Sequence, residues 1–249
     1  MKNLITLSLS AVAFMLLGCE EIILDENNEV NSSVSGNYLP KEKDSEGVSV
    51  KLTDYLYPKE LGEDKTFYFE NVYNYAQNKN NAFDGAPDIS QRSYTKQVND
   101  TITRITEFKD TKQEKYDEIY QDKILSYETS IPLEFPINVA KNTTVSEVTE
   151  GDITKRCVVR YIGAKDLEPI LPLYVKNDLL NNYLEEENGG FILSQFNHMS
   201  VMHIYCGTTD RHTTDSYYTS DFGLVLKVEK DIDKDILKVE VVDVAHITN

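Results

Sequence analysis

The sequence predicts a mainly β protein: an antiparallel bent sheet, a partial barrel or a sandwich, with one short helix. Apolar and polar residues alternate along most of the chain beyond residue 45, as in strands that bury one face. Clusters of Gly, Pro, Asn and Asp separate these runs. A helical spacing of apolar residues stands out in one stretch, so we expect a sheet to supply most of the core.

The amino terminus has the pattern of a secretory signal peptide over residues 1–18. Lys2 precedes an apolar run at residues 4–17, which ends at the small Gly18. The run is shorter than the roughly 20 apolar residues that a membrane-spanning helix requires. We therefore expect this segment to direct export and to be removed.

The last residues of this segment, Leu16-Leu17-Gly18, together with Cys19, resemble the lipobox of bacterial lipoproteins. The resemblance implies cleavage before Cys19, a diacylglycerol on its sulfur and an acyl chain, such as palmitate, on its amine. Two acyl chains are enough to anchor a protein stably on a membrane. The alternative is an ordinary signal peptide that happens to contain a cysteine.

The residue after the cysteine bears on localisation. In lipoproteins of the enteric type, Asp at this position retains the protein at the inner membrane, whereas this chain has Glu20. The resemblance therefore implies a lipid-anchored protein of the cell envelope. The outer membrane is favoured, and the choice between its periplasmic and surface faces stays open.

Beyond the cysteine, the sequence divides into a tether and a body. Residues 19–44 are polar and poor in large apolar side chains, which is typical of a flexible tether. Residues 45–249 carry the alternating runs and suit one β-rich globular domain. The chain has 42 acidic residues against 25 Lys and Arg, a net charge of −17. Binding to nucleic acid needs a cationic surface, so this class of function is excluded.

The first half of the body contains several predicted strands. Residues 66–75 place four aromatic side chains on one side of an extended chain: Phe67, Phe69, Tyr73 and Tyr75. Residues 78–91 are predicted to form a loop by their content of Asn, Gly and Pro. Residues 101–108 and 119–127 are predicted to pair as a hairpin, and the charged stretch between them forms a turn or a helical turn.

The middle of the body contains an edge segment and a strand. Pro132 and Pro136 predict an extended segment at a sheet edge, because proline cannot donate to a central ladder. Residues 156–162, RCVVRYI, are rich in β-branched side chains and predict a strand.

The predicted helix covers residues 177–187. Its apolar side chains recur at helical spacing: Leu179, Leu180, Tyr183 and Leu184. Asn177 or Asp178 is the expected N-cap, and the glycines at 189–190 are the expected end of the helix.

The carboxyl end predicts an antiparallel hairpin. Residues 222–230 and 235–244 alternate, and a short acidic turn lies between them. The stretch TTDSYYTSDFGLVLKVE, residues 213–229, is similar to a terminal hairpin of uncharacterised β-rich envelope lipoproteins. That resemblance implies no particular function.

Two cysteines remain when Cys19 carries the lipid. Cys157 and Cys206 both lie in apolar, strand-like runs, and an exported protein meets an oxidising compartment. A disulfide between them is favoured, and two separate buried thiols are the alternative.

Motifs for chemistry are weak, so we predict no catalytic residue, no metal and no cofactor. Cys206 and three nearby histidines, His198, His203 and His212, could suggest a zinc site. Each of the other three residues lies an odd number of positions from His203, so on an extended chain each would point to the face opposite His203. Asp231, Asp233 and Asp235 could attract calcium, although Ile236 and Val242 stand where an EF-hand needs Gly and Glu. Ser93 and Lys96 match S-x-x-K without its partner motifs.

The chain has 16 tyrosines and no tryptophan. Tyrosine in strands mostly fills cores and covers sheet faces. The functional alternative is a surface patch that binds a protein or a glycan. Its members would be Tyr68, Tyr73, Tyr75, Tyr217 and Tyr218.

Three functions compete at this point. The first is a non-catalytic lipoprotein that binds a protein, glycan or lipid partner or supports envelope assembly. The second is a carrier of lipid or another hydrophobic ligand in a curved-sheet cavity, which resembles the lipoprotein-carrier half-barrels in outline. The third is a hydrolase, which requires a Ser or a carboxylate beside His203 or His212 in a cleft.

Overall fold

The computed structural model describes most of the predicted body. The described residues are 39–40, 46–77, 86–108, 111–127, 133–180, 197–231, 235–244 and 247–248. All of them belong to the unit Ser32–Asn249. The signal segment, Cys19 and most of the tether lie outside the described residues, so those assignments stay predictions.

Strands dominate the described residues. They are β1 (Glu46–Lys51), β2 (Thr66–Ala76), β3 (Asp88–Lys96), β4 (Thr101–Phe108), β5 (Thr111–Ile119), β6 (Lys123–Tyr127), β7 (Leu133–Pro136), β8 (Asn138–Lys141), β9 (Thr144–Glu150), β10 (Ile153–Lys165), β11 (Met199–Thr208), β12 (Thr213–Thr219), β13 (Gly223–Lys230), β14 (Ile236–Val242) and β15 (Ile247–Thr248). Two short helices accompany them, α1 (Thr53–Leu56) and α2 (Leu173–Asp178), with a 3₁₀ turn at Glu168–Ile170. The predicted mainly β class is confirmed.

The main sheet consists of two antiparallel meanders. From β2 to β7 each strand pairs with the next along the chain, and the same holds from β9 to β14. Pairing of β14 with β2 joins the two meanders into one sheet, and β15 adds to β2. Every pairing within it is antiparallel, as the alternating sequence pattern predicted.

The sheet curls until it is nearly closed and barrel-like. Its outermost strands, β7 and β9, are consecutive in the chain except for the short β8. β8 pairs with β1 in a separate small sheet. Just after β8, the Asn142 amide donates a 2.7 Å hydrogen bond to the Val159 carbonyl in β10. The segment from β7 to β9 thus spans the remaining gap.

The inner face of the sheet can be traced through the strand register. Residues that lie opposite each other share a face. The face that carries Tyr94 in β3 leads in one direction to Ile124 in β6 and in the other to Met202 in β11. Ile124 and Met202 belong to one buried cluster although their strands lie far apart in the sheet. This face is therefore the inside of the curl.

A bulge in β2 corrects the predicted arrangement of its aromatic residues. Between Phe69 and Val72 the register shifts by one residue, so the side chains beyond it change face. Phe67 and Phe69 point to the inner face, whereas Tyr73 and Tyr75 point to the outer face. All four are buried, because α2 packs on the outer face: Tyr75 donates a 2.9 Å hydrogen bond to Asp178.

Two further predictions about the first half are wrong in part. Residues 101–108 do not pair with 119–127, because the charged stretch between them is itself a strand, β5, which pairs with both neighbours. The predicted loop at 78–91 is too long, because β3 begins at Asp88. Residues 78–85 lie outside the described residues.

The predicted helix is misplaced. α2 begins at Leu173 after Pro172, so Asn177 and Asp178 lie in its last turn and are not its N-cap. Proline has the fixed φ that suits a helix start. Leu179 is buried whereas Leu180 is 39% exposed, so these two do not share a buried face. Tyr183, Leu184 and the two glycines lie outside the described residues.

Three other predicted elements are confirmed. Residues 156–162 lie within β10, β13 and β14 form the carboxyl-terminal hairpin, and Pro136 ends the edge strand β7. Pro132, which also belonged to the predicted edge segment, lies outside the described residues.

Candidate binding site

Charged and polar side chains meet on the inner face of the sheet, at its middle. We name this group the inner polar cluster. It consists of Tyr57, Arg92, Tyr94, Arg104, Asp117 and Glu240. Strands β3, β4, β5 and β14 supply five members, and the segment that follows α1 supplies Tyr57. Buried charges are rare unless they are paired, so this composition marks the place as unusual for a β-sheet core.

Arg92 and Glu240 form a buried ion pair. Nη2 of Arg92 lies 2.7 Å from Oε1 of Glu240, and the two side chains are 5% and 17% exposed. Burial acts to lower the pKa of Arg92, but the carboxylate of Glu240 raises it overall. Burial likewise acts to raise the pKa of Glu240, and the nearby guanidinium lowers it overall. Both groups are therefore held charged inside the sheet.

Tyr57 and Asp117 form the second pair. The Tyr57 hydroxyl donates a 2.8 Å hydrogen bond to Oδ2 of Asp117, and both residues are buried. Burial and the adjacent carboxylate raise the pKa of Tyr57 well above its ordinary value, so this hydroxyl keeps its proton. The bond holds the α1 segment against the inner face of β5.

Four buried polar atoms of the cluster have no hydrogen-bond partner among the described residues. They are Nε and Nη1 of Arg92, the hydroxyl oxygen of Tyr94 and Oδ1 of Asp117. Tyr94 is completely buried, and Arg92 and Asp117 are less than a tenth exposed. A buried polar group without a partner costs about 1–3 kcal/mol, and such groups usually meet ordered water or a ligand. Their concentration on three neighbouring residues makes this cluster the candidate binding site.

The cluster acts as one electrostatic unit. Tyr94 lies directly opposite Arg104 across the β3–β4 pair, and Asp117 lies on the next strand, diagonal to Arg104. The charges of Asp117 and Arg104 and the Tyr94 hydroxyl all influence the pKa of Tyr57. Tyr94 and Arg104 also influence the pKa of Arg92. A molecule that entered between these side chains would meet donors from β3 and an acceptor from β5.

A second charged cluster lies on the outer face. Nε2 of His203 lies 2.8 Å from Oδ1 of Asp215, and Nζ of Lys230 lies 2.9 Å from Oδ2. An ionised carboxylate only accepts, so Nε2 carries the proton. The His203 ring also stacks on Tyr217, with 4.4 Å between ring centroids. Burial acts to raise the pKa of Asp215, but His203 and Lys230 lower it overall.

Each carboxylate oxygen of Asp215 has a partner, either His203 or Lys230. This outer cluster therefore forms an ion-pair clamp across β11, β12 and β13. The carboxylate that a hydrolase would need beside His203 is present. Among the described residues, no Ser, Thr or Cys hydrogen-bonds to the His203 ring. The outer cluster therefore orients a histidine but does not supply a nucleophile to it.

Comparison of the chain with protein-family models, with curated proteins and with solved structures finds no match. Within the described ranges, no helix has the length and apolar character that crossing a membrane requires.

The predicted tyrosine patch is wrong for three of its five members. Tyr73, Tyr75 and Tyr217 are buried, because the α2 region and the neighbouring strands cover the outer face there. Tyr68 is 47% exposed and Tyr218 is partly buried. These five residues cannot form one exposed surface.

The cysteine prediction is confirmed. Cys157 and Cys206 form a disulfide and lie directly opposite each other in the β10–β11 pair. Cys206 therefore offers no thiolate to a metal. Groups of three or more metal-binding side chains do not occur in the described part of the chain.

Two of the remaining weak motifs lie apart from the inner polar cluster, whereas the S-x-x-K stretch contains its member Tyr94. His198 and His212 are exposed and lie beside Asp166 and Asp210 respectively. Asp231 accepts a hydrogen bond from the amide of Asp235 at the β13–β14 turn, and Asp233 lies outside the described residues. In the S-x-x-K stretch, Lys96 forms an ion pair with Asp100, 3.3 Å away.

The candidate site residues that sequence reasoning missed are Arg92, Tyr94 and Asp117. One signal was present: Arg92 and Tyr94 alternate within a strand, so either both or neither face the core. The sequence does not say which face of β3 is buried, because both carry polar side chains.

Proposed function

We propose that this protein is a non-catalytic, lipid-anchored protein of the cell envelope that binds a small ligand inside its curled sheet. The observation that carries this proposal is the group of four buried polar atoms on Arg92, Tyr94 and Asp117 that have no hydrogen-bond partner in the described part of the chain. A ligand that paired with these atoms would remove their desolvation penalty, which makes binding favourable.

The surrounding structure supports a pre-formed site. The Arg92 side chain is held by Glu240, and the Asp117 side chain is held by Tyr57. Side chains with fixed orientation lose little entropy when a ligand arrives. The strands on either side are continuous members of one sheet, so the positions of donors and acceptor are set before binding.

The location in the envelope rests on the lipobox resemblance. Acyl chains on Cys19 would hold the body at the membrane, and the polar tether would keep it in the aqueous phase. Replacing Cys19 by Ala should release the protein into the soluble fraction and abolish palmitate labelling. Ser33→Ala, also in the tether, is the matched control and should stay membrane-bound. Continued membrane retention of the Cys19→Ala variant would contradict the anchor.

Binding itself can be tested by mass spectrometry. The protein is isolated from the envelope and sprayed under native and under denaturing conditions. We expect the native mass to exceed the denatured mass by that of a non-covalently held small molecule. Equal masses under both conditions would count against an internal ligand.

One observation favours the alternative function, a carrier of a hydrophobic ligand. The inner face also holds an apolar cluster around Leu52, Ile124, Val139 and Met202, next to the disulfide. These side chains are almost completely buried, so the interior is apolar beside the inner polar cluster. The charged groups at Arg92 and Asp117 nevertheless favour a ligand with polar ends over a plain hydrocarbon.

A further inference from the structure

We infer that the inner polar cluster binds a polyhydroxy carboxylate, that is, a sugar acid, with its carboxylate at Arg92 and Tyr94 and its hydroxyls at Asp117. This inference rests on the proposed function, because it names the ligand class of the same site. It follows from the kind of unpaired atom that each residue offers, from the charge balance and from the spacing of the strands.

The unpaired atoms of β3 are donors. Nε and Nη1 of Arg92 carry only N–H groups, and the hydroxyl of Tyr94 can donate as well. Charge-assisted hydrogen bonds from arginine to a carboxylate are among the strongest in proteins. An anionic oxygen group is therefore the partner that this side of the cluster fits.

The charges around the cluster favour an anion. Arg92 and Arg104 are offset by Asp117 and Glu240, and Lys227 and Lys238 add positive charge that acts on Glu240. A buried negative charge needs such compensation in the low dielectric of the interior. A ligand carboxylate would therefore meet cationic groups that are already in place.

The unpaired atom of β5 is an acceptor. Oδ1 of Asp117 requires a donor from the ligand, either a hydroxyl or an ammonium group. Arg104 lies close enough to Tyr57 and Asp117 to influence the pKa of Tyr57. A second cation beside Arg104 would be repelled, so a neutral hydroxyl suits this position better than an ammonium group.

The strand spacing favours an extended ligand with an apolar face. β3 and β5 lie two strand spacings apart, roughly 10 Å, and Arg104 of β4 lies between them on the same face. A pyranose ring with a carboxylate at one end can reach across more of this gap than a two-carbon acid. Phe69 lies directly opposite Arg92, and its ring packs edge-on against Tyr94 with 6.2 Å between centroids. These rings offer the apolar contact that sugar C–H groups prefer.

The test is calorimetric titration of the full mature protein with three probes. D-Glucuronate carries both the carboxylate and the hydroxyls, D-glucose carries the hydroxyls only, and hexanoate carries the carboxylate only. We expect glucuronate to bind at least tenfold more tightly than either of the other two.

Two variants report on the two ends of the ligand. Tyr94→Phe removes a hydroxyl that has no partner among the described residues, so the fold keeps its packing while glucuronate affinity falls about tenfold. Asp117→Asn replaces one carboxylate oxygen, an acceptor, by an NH₂ group, a donor. The ratio of the glucuronate affinity to the hexanoate affinity should therefore decrease. Tyr75→Phe, on the outer face, is the matched control and should leave the affinity unchanged.

The outcomes separate the ligand class from the proposed function. Glucuronate binding that equals glucose or hexanoate binding, or that is indifferent to Tyr94→Phe, overturns the sugar-acid assignment. When a different small molecule is then found in the native mass spectrum, the internal binding function stands with another ligand. When no probe binds and no bound molecule is found, ordered water alone satisfies the cluster, and both proposals fail.

Discussion

The hydroxyl of Tyr57 donates a hydrogen bond to Asp117 from a segment that is 60 residues away in the chain. Tyr57 directly follows α1, and Asp117 lies in β5, so this bond fixes the α1 segment on the inner face of the sheet. Both side chains are buried, and the other oxygen of Asp117 has no partner among the described residues. The stability of this contact therefore depends on a single bond.

Tyr57→Phe should destabilise the protein by about 1–3 kcal/mol, because it leaves a buried carboxylate without a donor. The free energy of unfolding in urea measures this change. Tyr120→Phe is the control: its hydroxyl also donates to a carboxylate, that of Glu118, but on the exposed surface. That variant should stay within about 0.5 kcal/mol of the parent. Equal effects of the two variants would contradict a special role for the buried bond.

Reduction of the disulfide should lower stability by roughly 4 kcal/mol on the chain-entropy model, because the bridge between Cys157 and Cys206 closes a loop of 49 residues. The midpoint of urea unfolding with and without a reductant measures the effect. The double variant Cys157→Ala, Cys206→Ala should unfold like the reduced protein and should not respond to reductant. A reductant response in that variant would mean that another group is responsible.

Gly223→Ala should be strongly destabilising. Gly223 has a φ of +73°, and an added Cβ would lie 2.9 Å from the backbone oxygen of Leu56. The close approach lets the α1 segment pack on the start of β13, and backbone cannot give way as a side-chain tip can. Gly151 has a φ of +59° but open space around it, so Gly151→Ala isolates the conformational part, about 1 kcal/mol.

The difference between these two glycine variants measures the steric part, which we expect to be at least about 1 kcal/mol. Thermal unfolding of both variants alongside the parent gives the comparison. If Gly223→Ala and Gly151→Ala lose similar amounts of stability, the α1 segment can move away from β13 at little cost in free energy.

Acidification should weaken the clamp at Asp215. His203 and Lys230 lower the pKa of this carboxyl, so its pairing adds stability above the unfolded value of about 3.9, and this stability is lost as the pH falls below it. The stability advantage of the parent over Asp215→Asn should therefore shrink as the pH drops below about 4. Urea unfolding at several pH values tests this.

Asp221→Asn controls for the loss of one negative charge, because Asp221 is exposed. Its stability should stay close to that of the parent across the series. If the parent is still more stable than Asp215→Asn by the same free energy at the lowest pH, the ionised carboxylate of Asp215 is not the source of that stability.

The strands that the sequence predicted well carry a clear apolar signal. β13 and β14 contain alternating apolar residues, and β10 is rich in β-branched side chains. β5 was missed because most of its residues are exposed and charged, so neighbouring strands and not its own pattern hold it in the sheet. α2 was misplaced because it buries only a short apolar stripe, which cannot fix the ends of a helix.

The inner polar cluster was out of reach for a related reason. Arg92, Tyr94 and Asp117 meet because three strands pair in one register, and a shift of one residue would turn each side chain to the other face. The bulge in β2 shows how small the deciding feature is: one extra residue reverses the faces of Tyr73 and Tyr75. Alternation identifies strands, but partner strands decide which side is the interior.

The pairing of β2 with β14 also sets the order in which the chain can fold. Each meander can form from hairpins between consecutive strands. The two meanders join only when β14 pairs with β2, where Glu240 lies opposite Asn74. Contacts this distant form slowly, because a long loop has to close first. A nascent chain would thus remain without its complete sheet until β14 is synthesised.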